Sequence, residues 1–190
     1  LMAIIAVFFL TSNTVFCQPG MVVSSYFNAN DLRDEWTELL VVQDNLNIAG
    51  WSFGDNNSTQ DSWQPRINFT NNALWTNLRA GTIILIWHRP INSTLVPHLE
   101  DTDPSDGYIQ LIANNPTYFS GGDFGSDPVW GGTSLNIAST GDIIQIRNAG
   151  STHVQALGHK IVPGSSFTTL PSPKLNHTES LGTDEVVMVC

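Results

Sequence analysis

Basic residues are scarce in this chain: 190 residues carry seven Lys and Arg against 17 Asp and Glu, a formal net charge of −10. Arg33, Arg66, Arg79, Arg89, Arg147, Lys160 and Lys174 are scattered, so no local patch offsets an acidic surface that repels phosphate backbones. Nucleic acid is therefore disfavoured as a partner. Cysteine is scarcer still, with Cys17 and Cys190 alone. If Cys17 leaves with a cleaved leader, no internal disulfide can form and the fold must stand on its apolar core. The chain also lacks G-x-S-x-G, a P-loop and H-E-x-x-H, so the usual nucleophilic, phosphoryl-transfer and zinc-hydrolase chemistries have no signature here. No catalytic residue is assigned.

What is present suits one domain. Hydrophobic residues make up 41% of the chain and aromatic residues 9%, enough for a packed core. The uncharged run Leu1 to Leu10 is too short to span a bilayer and is followed by the more polar Thr11 to Thr14 and then Val15-Phe16-Cys17. Residues 1–17 read as the apolar and cleavage regions of a secretory signal whose basic start is missing. Cleavage after Cys17 leaves Gln18 as the mature N-terminus. The expected location is secreted or cell-surface, with no transmembrane segment in the mature chain.

Short runs rich in β-branched and aromatic residues, bounded by Gly, Asn and Asp, predict strands throughout. Met21 to Phe27 is the first. Trp36 to Val42 and Leu46 to Phe53, separated by Gln43-Asp44-Asn45, read as consecutive strands of one antiparallel sheet. Which pleat face of Trp36 to Val42 points inward stays open, and Glu38 on it reads as a sheet residue satisfied by hydrogen bonds rather than a catalytic acid. Thr82 to Trp87, the most apolar run of the mature chain, predicts a central strand buried on both faces, where a charge at Leu85 prevents folding. Ile143 to Arg147 alternates Ile144 and Ile146 with Gln145 and Arg147, as a strand with one wet face does.

The order E-W-x-E-L over Glu35 to Leu39, a turn, and L-x-I-x-G-W-x-F over Leu46 to Phe53 resembles the lamin tail domain. So does the hairpin from Leu135 through Gly141-Asp142 to Gly158, which is similar to the closing L-x-N-x-G-D-x-I-x-L hairpin of that family. The resemblance implies an all-β, immunoglobulin-like antiparallel β-sandwich over residues 21–162, with a long Gly/Pro-rich insertion from His88 to Ser134 in which Tyr108 to Ile112 alone reads as a strand. Residues 163–190 then form a linker or the start of a further segment. It also implies an exported, non-catalytic binding or attachment module, one piece of a larger secreted or cell-surface protein, whose partner is extracellular protein or glycan. The alternative is an accessory domain of a secreted hydrolase, a nuclease or protease, with its catalytic domain beyond residue 190.

Three constellations are candidates for chemistry. Asp101, Asp103 and Asp106 cluster in a loop ending at Gly107, and clustered oxygens on a turning backbone suit Ca²⁺. Pro104 and Ser105 depart from EF-hand spacing and no Glu follows, so ordinary turn chemistry competes with this reading. His153 and His159, six apart, can share a strand face, while His88, His98 and His177 are dispersed, which suits surface or satisfied histidines better than zinc. Among six tryptophans, Trp36, Trp51 and Trp87 lie within strands and read as core. Trp63 and Trp130 lie in loops, where an exposed ring can stack on a sugar. Sequons occur at Asn56, Asn57, Asn68, Asn92 and Asn176.

Overall fold

A computed structural model describes residues 18–29, 34–64, 66–88, 99–121, 135–179, 182 and 184–188. Residues 1–17, Asn92, His98 and Trp130 lie outside the described residues. The chain is an all-β, immunoglobulin-like sandwich of two mixed sheets. The strands in chain order are β1 (Met21–Asn28), β2 (Trp36–Val41), β3 (Ser52–Gly54), β4 (Ile67–Phe69), β5 (Ile83–Trp87), β6 (Tyr108–Ile112), β7 (Phe119–Ser120), β8 (Asp142–Arg147), β9 (His153–His159), β10 (Lys174–His177) and β11 (Glu185–Met188). Among the described residues one short α-helix, α1 (Ser166–Thr169), precedes β10, and Ala73–Trp75 and Pro104–Asp106 form single 3-10 turns. One sheet runs β11-β1-β2-β5-β6 and the other β10-β9-β8-β3-β4-β7.

Period-two burial settles the pleat of β2: Thr37, Leu39 and Val41 are buried, while Trp36, Glu38 and Leu40 face outward and are half-buried. β5 is an interior strand, between β2 and the edge strand β6, rather than the central one, and it is not buried on both faces. Ile84 and Ile86 are fully buried, whereas Ile83 and Leu85 lie on the thinly covered outer face of the first sheet. The core between the sheets centres on Trp75, which no strand pattern marks. Its ring meets Phe69 edge-on at 5.0 Å and Phe119 at 5.8 Å, and its indole N–H donates to the Tyr118 carbonyl at 3.1 Å. A bulge at Val23/Ser25 in β1 turns the Val23 N–H toward the opposite sheet, where the buried Gln155 Oε1 accepts it at 2.9 Å.

Several expectations need correction. β2 and the Leu46 to Phe53 run do not form a hairpin; β3 belongs to the other sheet and pairs with β4 and β8. Between β2 and β3 the chain crosses the sandwich, held by a Leu46↔Leu78 bridge and by the Ala80 N–H donating to Asp44 Oδ1 at 2.9 Å. The sheets are mixed rather than antiparallel, since β5 pairs with β6 and β9 with β10 in parallel. The region from His88 to Ser134 is not all decoration: β6 buries Ile109 and Leu111, and β7 buries Phe119. β8 has no wet face either, because Trp63 and Phe167 of α1 pack over Ile143 and Ala156, and Gln145 is buried. The sandwich also continues past Val162, with β10 pairing β9 and β11 pairing β1.

Burying each large aliphatic side chain contributes roughly 1.5–3 kcal/mol, so the two faces of β5 carry unequal weight. Ile86→Ala is expected to lower the unfolding free energy by about 2–5 kcal/mol in a urea titration. Leu85→Ala, on the outer face, is expected to cost clearly less. Equal losses for the two would show that the outer face is covered.

Candidate functional site

The strands run so that the β1 start, β2 end, β8 end and β9 start meet at one end of the sandwich, and their opposite termini meet at the other. Each end carries a distinct cluster of polar groups.

At one end the groups are buried and bonded within the chain. Glu35, Asp55 and Asp142 are all fully buried. Their carboxylates accept the N–H groups of three successive residues: Asn136 to Asp55 Oδ2 at 2.9 Å, Ile137 to Glu35 Oε2 at 3.3 Å, and Ala138 to Asp142 Oδ2 at 2.9 Å. Asp142 Oδ1 also accepts from the N–H of Ile143 at 2.7 Å and of Asn56 at 3.3 Å. Burial, and then the neighbouring Asp55, push the Asp142 carboxyl well above the usual carboxylate range, against the pull of those N–H donors. Beside it, His159 shares a proton with the Tyr26 hydroxyl across 2.6 Å through Nδ1 and faces the Ala138 carbonyl at 3.0 Å through Nε2. One tautomer serves both: Nε2–H donates to the carbonyl and the phenol donates to Nδ1. His88 is likewise internal, with Nε2 at 2.9 Å from Thr37 Oγ1 and Nδ1 at 3.6 Å from Glu35 Oε2.

At the other end lies an open groove of about 420 Å³. The segment Gln18-Pro19-Gly20 forms one wall, Gln43 and Leu46 of the β2–β3 crossing form another, and Asn148, Thr152, His153 and Val154 come from the β8–β9 turn. Ser172 and Pro173 close the side, with Trp51 half-buried against the core. The turn geometry builds this convergence. Asn148 Oδ1 accepts the N–H groups of Gly150 and Thr152, each at 3.0 Å, which folds the turn toward Gly50. Gly50 has a φ of +75°, and a Cβ on it would stand 3.3 Å from the Ala149 methyl group. His153 fixes the side wall: Nδ1 faces Gln145 Nε2 at 2.9 Å and Nε2 faces the Pro173 carbonyl at 3.0 Å. Both ring nitrogens are thus occupied inside the chain. Burial first, then the nearby Arg147 and Lys174 charges, hold this imidazole below its ordinary range against the Pro173 contact, and so keep it neutral.

The residues singled out from the sequence fall elsewhere. Trp63 has Arg147 over its ring, 5.6 Å from the centroid, and packs against the α1 cluster, so it is no free platform. Asp101, Asp103 and Asp106 lie together, but each caps the backbone two residues on: their Oδ1 atoms accept from the N–H of Asp103 at 3.0 Å, Ser105 at 2.9 Å and Tyr108 at 2.8 Å. These are Asx turns, and they account for the acids without a cation. Among the described residues no group of three His, Cys, Asp or Glu side chains is placed to hold a metal. Glu38 accepts from Ser24 Oγ at 2.7 Å and Ser25 Oγ at 3.2 Å. The Asn56 sequon is buried, whereas Asn176 is exposed on β10. Of the strand tryptophans, Trp87 is buried while Trp36 and Trp51 are only half-buried. Gln43, Trp51 and Asn148 were not singled out as site residues. Their signal was two polar turns and a Trp after a Gly, and it becomes visible only once the turns are known to meet.

Compared with protein-family models and with curated proteins, the chain has no match. Among the described residues no helix is long and apolar enough to cross a membrane.

Two outcomes test this geometry. Gly50→Ala forces a side chain into the left-handed region beside Ala149 and is expected to cost about 1–3 kcal/mol of stability by chemical denaturation; no loss would show that the turn does not pack there. Burial, ahead of its weaker charge neighbours, takes His159 from 6.5 down to about 4. Its folded value lies below the unfolded one, so its stabilisation is full above pH 6.5 and is lost as the pH falls toward 4. A melting series across that window is expected to decline, and His159→Gln, which takes up no proton there, is expected to flatten the decline.

Proposed function

We propose that this chain is an exported, non-catalytic binding or attachment module of lamin-tail type. Its working surface is the groove at the Trp51 end of the sandwich, and its partner is extracellular. The observation that carries this reading is how the polar groups are used. The acids and histidines suited to proton transfer are tied to backbone or to each other within the chain, while the groove is lined by carboxamides, hydroxyls, prolines and an indole. A general base must reach a substrate proton with a free lone pair, and the Nδ1 lone pair of His153 points at Gln145. The E-W-x-E-L and L-x-I-x-G-W-x-F runs and the closing hairpin support the lamin-tail comparison, and the apolar run before Cys17 supports export.

The test is a turnover assay. The purified chain is expected to leave ester, peptide, glycoside and nucleic-acid substrates intact. Hydrolysis of any of them that disappears in Glu38→Gln would overturn the reading and place chemistry on the outer face of the first sheet.

A further inference from the structure

We infer that the groove at the Trp51 end takes an uncharged glycan. The inference rests on the reading of the chain as a non-catalytic binding module and names its ligand class.

The groove lining contains no Asp, Glu, Lys or Arg, in a chain with 17 acids and seven basic residues. A charged ligand therefore finds no counter-charge there. The nearest cations are already engaged: Arg147 Nε donates to Gln145 Oε1 at 2.7 Å, and Lys174 Nζ donates to the Phe167 and Thr168 carbonyls at 2.8 and 3.1 Å. An anionic sugar or a phosphate would also approach against the field of a chain with a net charge of −10.

What the groove offers matches a pyranose. The C–H face of a sugar ring is apolar and stacks on an indole, and Trp51 supplies one. The hydroxyl edge alternates donors and acceptors, and a carboxamide pairs with both at once. Gln18, Gln43 and Asn148 stand around Trp51, with the Thr152 and Ser172 hydroxyls beside them. The Asn148 oxygen is committed to its own turn, so its amide nitrogen is the atom left to donate. The volume of about 420 Å³ lies within the usual range of roughly 300–1,000 Å³ for small-ligand sites. The walls are braced before any ligand arrives, by Val42 N–H donating to the Gly20 carbonyl at 2.9 Å and by the His153 contact to Pro173. Such bracing lowers the ordering cost of binding.

An extended peptide fits less well. Strand addition needs an open sheet edge, and β9 is flanked by β8 on one side and by β10 from Ala156 on the other, with Ser172 and Pro173 standing beside His153 where that pairing stops.

The experiment is an amide and indole NMR titration of the purified chain with cellohexaose, maltohexaose and chitohexaose, and in parallel with hexagalacturonate and decaproline. At least one uncharged saccharide is expected to shift the Trp51 indole and the Gln43 and Asn148 side-chain signals saturably. Trp51→Ala is expected to weaken that binding about tenfold or more, while Trp63→Ala leaves it unchanged. If Trp51→Ala does not fold, Gln43→Ala, in an exposed turn, is expected to weaken it about threefold or more. Groove signals silent to all three neutral saccharides overturn the inference. A groove response to decaproline or hexagalacturonate alone overturns the ligand class and leaves the binding-module reading standing. Cleavage of a saccharide probe instead overturns that reading.

Discussion

Three buried carboxylates hold this sandwich together at the end away from the groove. Glu35 precedes β2 in one sheet, while Asp55 and Asp142 flank β3 and β8 in the other, and all three accept N–H groups from the segment Asn136 to Ala138. A carboxylate is costly to bury, and an unpaired backbone N–H is costly too. Each cost is met by the other here, so the segment leading into β8 is stitched to both sheets by these hydrogen bonds as well as by its buried Leu135 and Ile137 side chains. At Asp142 the two costs do not cancel. Its raised affinity for a proton records burial and a like-charged neighbour outweighing three N–H donors.

With that end secured, the other end is free to remain open. The groove is framed by turns, the Asn148 turn packs against Gly50, and the Pro173 wall hangs on one histidine. Rigid strands carrying a concave, uncharged opening give a surface that holds its shape without a ligand. The division is physical: charge is spent on internal anchoring, and neutral polar groups face outward at the groove. Two tryptophans mark the contrast. Trp75 is sealed among Phe69, Phe119 and Tyr118, whereas Trp51 is left half-covered beside the carboxamides.

Much of the fold was legible because alternation is a local property. β1, β2, β5, β6 and β8 stand where runs such as Thr82 to Trp87 and Ile143 to Arg147 predict them. Partnership was not legible, because it depends on residues far apart in the chain. The Gln43-Asp44-Asn45 turn looks like a hairpin but carries the chain between sheets, and only the Asp44 bond to Ala80 and the Leu46↔Leu78 bridge reveal why. Proline density hid β7 and the part that β6 takes in the core, since it marks the loops around them and says nothing of where Ile109, Leu111 and Phe119 pack. The site was the least legible part. Carboxylate clustering drew attention to Asp101, Asp103 and Asp106, whose oxygens are used in their own turns. The polar residues that line the groove are mostly carboxamides and hydroxyls, which are common in loops and give no spacing to recognise. Glu35, Asp55 and Asp142 were equally silent, because a buried acid reads from sequence like any exposed one.

The pairing of β1 with β11 sets Ser25 opposite Met188 and Asn28 opposite Glu185. β1 thus has one neighbour in β2, close by in the chain, and another in β11, far along it. Closing a contact over so much chain is slow, and until it closes the Tyr26 edge of the first sheet stays unpaired. Chain order is therefore built into the topology: the first sheet cannot be completed until Glu185 to Met188 have been made and have returned to β1.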